Sequence, residues 1–130
     1  MLKNTLPNIW FIEIFILSLQ YKQIILIINK KNMNNLIGKQ VIVRANRAGV
    51  FFGTLNSLEN SVVELLKCRK IYYWSGATET LQIANEGVKN PEKCKITLAV
   101  DQALINEWVE IIPCTEIAIT NLNNVPVWKL

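Results

Sequence analysis

The sequence contains no histidine, and this absence excludes several classes of active site at once. Histidine is the commonest side-chain general base and the commonest zinc ligand, and the serine and cysteine hydrolase triads depend on it. Cysteine is also scarce: Cys68, Cys94 and Cys114 are an odd number and show no metal-ligand spacing. The acidic residues show no metal-loop spacing. We therefore expect reduced, buried thiols in a cytoplasmic protein, with no cofactor, no metal and no enzymatic activity.

Long uninterrupted apolar runs are also missing, although residues 1–32 are rich in isoleucine and leucine. The two apolar runs, Ile9–Leu19 and Ile24–Ile28, are separated by polar residues, and Glu13 interrupts the first. A membrane-spanning helix needs about 20 apolar residues, and a signal peptide needs a small-residue cleavage site. Isoleucine, asparagine and lysine in this proportion are typical of translated AT-rich leader DNA. We predict a hydrophobic extension with a misassigned start in preference to a membrane anchor, followed by a single β-rich domain over 33–130.

The positive charge is unevenly distributed along the chain. Of the net charge of +4, residues 1–32 contribute +3, from four lysines and one glutamate, so residues 33–130 contribute +1. Affinity for a long nucleic acid comes mainly from many contacts between cationic side chains and phosphates. The near-neutral charge of this domain therefore disfavours a long nucleic acid as its partner. Within the domain, residues 39–70 carry six cations and two acids. This local excess favours a small anionic ligand.

The first half of the domain has the pattern of an antiparallel sheet. Residues 39–44 and 50–55 are rich in β-branched and aromatic side chains, and a turn follows over 56–60. Residues 61–74 predict a long third strand, or two strands separated by a kink near 67–69. Gly53 interrupts the second strand, and an internal glycine usually marks a bulge or a sharp bend. Successive strands with such a bend are typical of a small, curved sheet or barrel.

A helix is predicted after the third strand. Its apolar residues recur at i, i+4, i+7 and i+11, which places them on one helical face. Ser75 or Thr78 can cap its start, and Gly87 can end it. The apolar face consists of Ala77, Leu81, Ala84 and Val88.

The remainder of the chain predicts two strands and a short helix. The strands are expected over 95–100 and 108–113, and the helix over 115–122, whereas 101–107 is ambiguous and includes a possible helical turn. Trp128 should lie on the body of the domain, because an exposed indole is costly in water. The predicted fold class is α+β, mainly β. It is a small curved antiparallel sheet or an SH3/Sm-like barrel, with one inserted helix and a short C-terminal helix.

Cations and aromatic residues are concentrated in residues 68–77. Such a cluster can be the end of a core strand, or a base-stacking platform with phosphate ligands beside it. In the second interpretation Trp74 or Tyr72 stacks a nucleobase, and Arg69 holds the phosphate together with Arg44 or Arg47. In the first, the aromatic residues complete the core and the arginines are ordinary surface charges. The candidate ligand-binding residues are Arg44, Arg47, Arg69, Lys70, Tyr72, Trp74, Ser75 and Gly76.

Three motifs in the domain resemble a family of small phage and prophage proteins of unknown function. They are AGVFFGTL at 48–55, RKIYYWSGA at 69–77 and EIIPCT at 110–115, and the resemblance covers about residues 36–130. It implies a counter-defence protein in the host cytoplasm that binds and sequesters a nucleotide immune messenger, such as a cyclic oligonucleotide or a cyclic ADP-ribose derivative. We expect it to be a homo-oligomer, and a membrane is a partner only if residues 1–32 form a true anchor. The alternative is an Sm-like or SH3-like module that binds RNA or a host protein.

Overall fold

The computed structural model describes residues 2–129, with side chains described for 12–28 and 35–129. The chain divides into two compact units, Met1–Asn35 and Leu36–Leu130. The first unit is one helix, α1 (Leu2–Asn34), on which side chains 12–28 are exposed. No helix in the described part of the chain is both long enough and apolar enough to cross a membrane.

The second unit is a six-stranded antiparallel sheet with two α-helices. Its strands lie in the order β4-β3-β2-β1-β6, and β5 pairs with β3 along the same edge as β4. This confirms the α+β, mainly β class, and the sheet is open instead of closing into a barrel. The elements are β1 (Gln40–Ala45), β2 (Val50–Glu59), β3 (Val62–Tyr73), α2 (Thr80–Glu86), β4 (Lys95–Ile96), β5 (Val100–Ile105), β6 (Trp108–Pro113) and α3 (Glu116–Asn123).

The hairpin between β2 and β3 is tighter than the sequence predicts. Strand β2 continues to Glu59, and only Asn60 and Ser61 form the turn, with φ angles of 51° and 64°. Two consecutive residues with positive φ match the right-handed twist of the flanking strands, which is why such two-residue turns are common in hairpins. The predicted turn over 56–60 is therefore wrong at its start.

Gly53 lies where the pairing of β2 with β3 shifts register, between Phe52 and Thr54. A Cβ atom at Gly53 would lie 3.0 Å from the Leu66 carbonyl oxygen, so the neighbouring backbone fills the space of a side chain. On the facing strand, Lys67 has a φ of 52° at the same irregularity. The predicted bend is therefore a bulge that involves both strands, and β3 continues through it as one strand.

The pattern after α2 was only partly predicted. Strand β4 covers Lys95–Ile96 and not 95–100, and the ambiguous region forms β5, whose residues Val100–Ile105 pair with β3. The possible helical turn there is wrong. The backbone of β5 instead pairs with β3, which lies far away in the sequence, and the local residue pattern carries no information about such a partner. Glu107, with a φ of 54°, forms the tight turn into β6.

Helix α2 is shorter than predicted, and one residue of its predicted apolar face is exposed. It begins at Thr80, and the carboxylate of Glu79 caps it, whereas Ser75 and Thr78 lie before the helix. Leu81 is 52% exposed and lies off the buried face, whereas Ala84 and Val88 are buried and Ala77 packs against buried residues, as predicted. The buried residues are Thr80, Ile83 and Ala84.

The predicted helix ends are otherwise confirmed. Gly87 ends α2 with a φ of 81°, a conformation that glycine adopts without steric cost. The hydroxyl of Thr115 accepts a hydrogen bond from the Ala118 N–H and caps α3.

Apolar side chains lie on both faces of the sheet. One face packs against the helices, and we call its buried residues the helix-covered cluster. The other face carries a second cluster of buried apolar side chains. The helix-covered cluster contains Ile42, Phe52, Ile71, Ile83, Ala84, Val88, Cys94, Ile96, Leu122 and Val125. The second contains Val41, Val43, Ala45, Leu55, Val63, Leu65, Cys68 and Ile105.

Candidate functional site

The end of β3 presents alternate residues to the two faces of the sheet. Ile71 belongs to the helix-covered cluster, and Cys68 belongs to the other. Because side chains alternate along a strand, Arg69 shares a face with Ile71, while Lys70 and Tyr72 share a face with Cys68. The pairing of β3 with β5 stops at Cys68. Lys70 and Tyr72 therefore extend beyond the part of β3 that β5 flanks.

Arg69 is buried and makes three hydrogen bonds within the domain. Its residue is 6% exposed, and its guanidinium donates to the carbonyls of Thr97 at 2.7 Å, Leu122 at 2.8 Å and Val125 at 2.9 Å. Desolvation by burial lowers the pKa of Arg69 from its usual value. The guanidinium fixes the segment after α3 to the sheet, so we do not retain it as a phosphate ligand.

Trp74, Ser75 and Gly76 also have structural roles. Trp74 packs against the helix-covered cluster, and its Nε1 donates to the Ala77 carbonyl at 3.2 Å. The Ser75 hydroxyl accepts a hydrogen bond from Asn90 at 3.1 Å. Gly76 has a φ of 90°, which favours glycine. These residues shape the loop before α2, and they do not form the first turn of that helix.

Arg44 and Arg47 each pair with a carboxylate. The Nε of Arg44 lies 2.5 Å from an oxygen of Glu110, and the Nε of Arg47 lies 3.6 Å from an oxygen of Glu107. Surface ion pairs of this kind contribute little to stability. The Arg47 side chain is 84% exposed, so its remaining donors are accessible to a ligand.

Tyr72 and Trp128 form a stack that we call the aromatic platform. Their ring centroids are 5.2 Å apart, and their planes differ by 14°. Tyr72 is 62% exposed, and Trp128 is half-buried. The ammonium of Lys95 lies 5.5 Å from the indole centroid, within the distance of a cation–π contact. The platform thus presents an accessible aromatic face with a cation beside it.

A second contact between a cation and an aromatic ring lies next to the platform. Phe51 on β2 is directly opposite Lys70 on β3, and the Lys70 ammonium is 5.7 Å from the Phe51 ring centroid. Phe51 also lines a cavity of about 400 Å³, which we call the Phe51 cavity. The other lining residues are Arg47, Ala48, Ala103, Leu104, Ile105, Asn106 and Glu107.

A family model described as "Domain of unknown function (DUF6948)" matches residues 38–122. The chain belongs to this family. The matched region begins just before β1 and ends in α3, so it includes Tyr72 and Lys95, but Trp128 lies outside it. This agrees with the expectation that the chain belongs to a family of unknown function. No curated protein and no solved structure matched the chain.

Burial suppresses the reactivity of two thiols of the DUF6948 domain, Cys68 and Cys114. Burial raises the pKa of Cys68 to about 11 and that of Cys114 to about 12, so both are protonated at neutral pH. A protonated thiol is a poor nucleophile and a poor metal ligand. Cys114 lines a second cavity of about 400 Å³ at the start of β1, beside Lys39 and Glu116. Among the described residues no cluster of three or more cysteines or acids has the geometry to hold a metal ion.

Sequence reasoning did not assign Trp128, Lys95 or Phe51 to the site. Trp128 was expected to lie on the body of the domain, and it does so by stacking on Tyr72, which is 56 positions earlier in the chain. Of the predicted site residues, Tyr72 belongs to the platform, Lys70 lies on the same face of β3 and contacts Phe51, and Arg47 lines the adjoining cavity. A contact between residues so far apart leaves no local pattern in the sequence.

Proposed function

We propose that this domain binds a small nucleotide and does not turn it over. A nucleobase stacks on the exposed face of Tyr72, and Lys95 and Lys70 interact with its phosphate. The observation that carries this proposal is the stack of Tyr72 on Trp128 with the Lys95 ammonium over the same indole. Every nucleobase has an aromatic face, and aromatic side chains next to cations are the usual platform for unpaired bases.

The two lysines are available for an anion. Within the described residues neither Lys70 nor Lys95 forms an ion pair with a carboxylate, in contrast to Arg44 and Arg47. Their only described charge contacts are with aromatic rings. A phosphate can therefore interact with either ammonium without first displacing a carboxylate, which favours an anionic ligand.

The preformed platform supports useful affinity. Stacking contributes about 1–3 kcal/mol per base, and a hydrogen bond to a charged group about 1.5–3 kcal/mol. Because Tyr72 already stacks on Trp128, ligand binding immobilises fewer free rotamers than it would on two separate side chains. With one stacked base and a hydrogen bond from each of the two lysines, these terms support affinity between millimolar and micromolar.

The resemblance to small phage and prophage proteins supplies the biological setting of the proposal. The ligand class is then a nucleotide messenger of bacterial immunity, a cyclic oligonucleotide or a cyclic ADP-ribose derivative, which the protein sequesters. The absence of histidine and the protonated thiols favour sequestration over turnover. An Sm-like or SH3-like module for RNA or a host protein remains the alternative hypothesis.

Tyr72→Ala tests the platform, and the chain contains a matched control. Tyr21 is a tyrosine of similar exposure, 65%, and it lies on α1 in the other compact unit. We expect calorimetric titration with cyclic di- and trinucleotides and cyclic ADP-ribose isomers to identify one ligand that binds. Tyr72→Ala should weaken the binding of that ligand by at least about tenfold, and Tyr21→Ala should leave it unchanged.

Three results would argue against the proposal. Equal losses in the two tyrosine variants would show that stacking on Tyr72 is not the source of affinity. If the protein binds single-stranded RNA but none of the cyclic nucleotides or cyclic ADP-ribose isomers, the Sm-like alternative is favoured. Absence of binding in both titrations would favour a host protein as the partner.

A further inference from the structure

We infer that the ligand carries two bases joined through a phosphate, so that the second base occupies the Phe51 cavity while the first stacks on the platform. This inference rests on the proposed function and specifies its ligand class. It follows from three observations: the spacing of Phe51 and Tyr72, the size and lining of the cavity, and the position of Lys70 between the two aromatic groups.

The spacing follows from the register of the sheet. Phe51 is directly opposite Lys70, and Tyr72 is two residues further along β3 on the same face. Diagonal neighbours of this kind are about 7–8 Å apart in an antiparallel pair. Stacked bases rise about 3.4 Å per step. The distance from Phe51 to Tyr72 is therefore about two base steps, which suits adjacent bases of one ligand that are unstacked from each other.

The cavity has the size and the lining for a nucleobase. Its volume of about 400 Å³ falls within the roughly 300–1,000 Å³ of small-molecule sites. Phe51 and Ala103, which both pack against the second cluster, give it an apolar wall. Phe51 is only partly buried, and its ring gains from contact with a flat heteroaromatic ring.

The charges around the cavity complement a bridging phosphate. The Lys70 ammonium lies over the Phe51 ring, on the strand that also carries Tyr72. Arg47 lines the cavity with its exposed side chain, and the carboxylate that it pairs with, Glu107, lines the cavity too. A phosphate that joins the two bases would therefore lie at Lys70, and the Arg47–Glu107 pair would face the edge of the second base.

The test compares adenosine monophosphate with the linear dinucleotide pApA by calorimetric titration of the full chain. A second stacking contact predicts that pApA binds at least about tenfold more tightly. Asn106→Asp adds a negative charge at the cavity with almost no change of side-chain volume, and it should abolish that advantage without changing the affinity for the mononucleotide. Asn85→Asp is the matched control, because Asn85 is also exposed and does not line the cavity.

The outcomes separate this inference from the proposed function. If the mononucleotide and the dinucleotide bind equally and Tyr72→Ala weakens both, the second subsite is refuted while nucleotide binding stands. If Asn106→Asp and Asn85→Asp reduce dinucleotide affinity by the same factor, the Phe51 cavity is not the subsite. If neither nucleotide binds the wild-type chain but a cyclic ADP-ribose isomer does, the two-base ligand is refuted while nucleotide binding stands, and if no nucleotide of either panel binds, both proposals fail.

Discussion

At the scale of single residues, Arg69 and Tyr72 show how one short motif divides between structure and surface. Both lie in the RKIYYWSGA stretch, and the alternation of the strand places them on opposite faces. Arg69 is buried and donates to three backbone carbonyls, whereas Tyr72 is 62% exposed. Sequence alone predicts the alternation. It does not predict which face the helices cover, because that depends on residues more than fifty positions later.

We expect Arg69→Met to destabilise the domain by about 3–4 kcal/mol, because it leaves buried carbonyls without donors. Arg69→Lys should destabilise the domain less, since an ammonium can still donate to some of the three carbonyls. Arg47→Met is the control, with an exposed side chain and an expected change within about 0.5 kcal/mol. The measurement is the denaturation midpoint in urea. If Arg69→Met were as stable as Arg47→Met, the three hydrogen bonds would have no structural role.

At the scale of elements, the sequence predicts strands and helix ends well where the cause is local. Gly53, Gly87 and Thr115 were recognised because bulges and caps require particular residue types. Strand β5 was missed because it is defined by pairing with β3, and its residues carry no clear alternation. The aromatic platform was missed for the same reason, since it joins two elements that are distant in sequence.

The bulge at Gly53 supports a prediction about the β2–β3 ladder. A Cβ atom there would lie 3.0 Å from the Leu66 carbonyl oxygen and 3.2 Å from the Cys68 Cα, both backbone atoms that move only with the strand. We expect Gly53→Ala to lower the free energy of unfolding by about 1 kcal/mol, and Gly53→Val to lower it by up to about 3 kcal/mol because its side chain is larger. Chemical denaturation would measure both. Equal stability of the two variants and the wild type would mean that the strands separate at the bulge without cost.

At the scale of the whole molecule, two units with different chemistry share one chain. Side chains 12–28 of α1 are exposed and mostly apolar, and they include several isoleucines and leucines. The described members of both buried clusters lie within Leu36–Leu130. The composition change that the sequence shows near residue 33 thus falls close to the division at Asn35.

This division motivates a prediction about residues 1–32. A chain that begins at Met33 keeps every described residue of both buried clusters, so we expect its melting temperature to match that of the full chain within about 2 °C. Exposed apolar surface promotes association, so the full chain should also require detergent to remain monodisperse at concentrations where the shorter chain does not. Calorimetric melts and light scattering measure the two quantities. A shorter chain that melts several degrees lower would show that residues 1–32 contribute to the stability of the sheet.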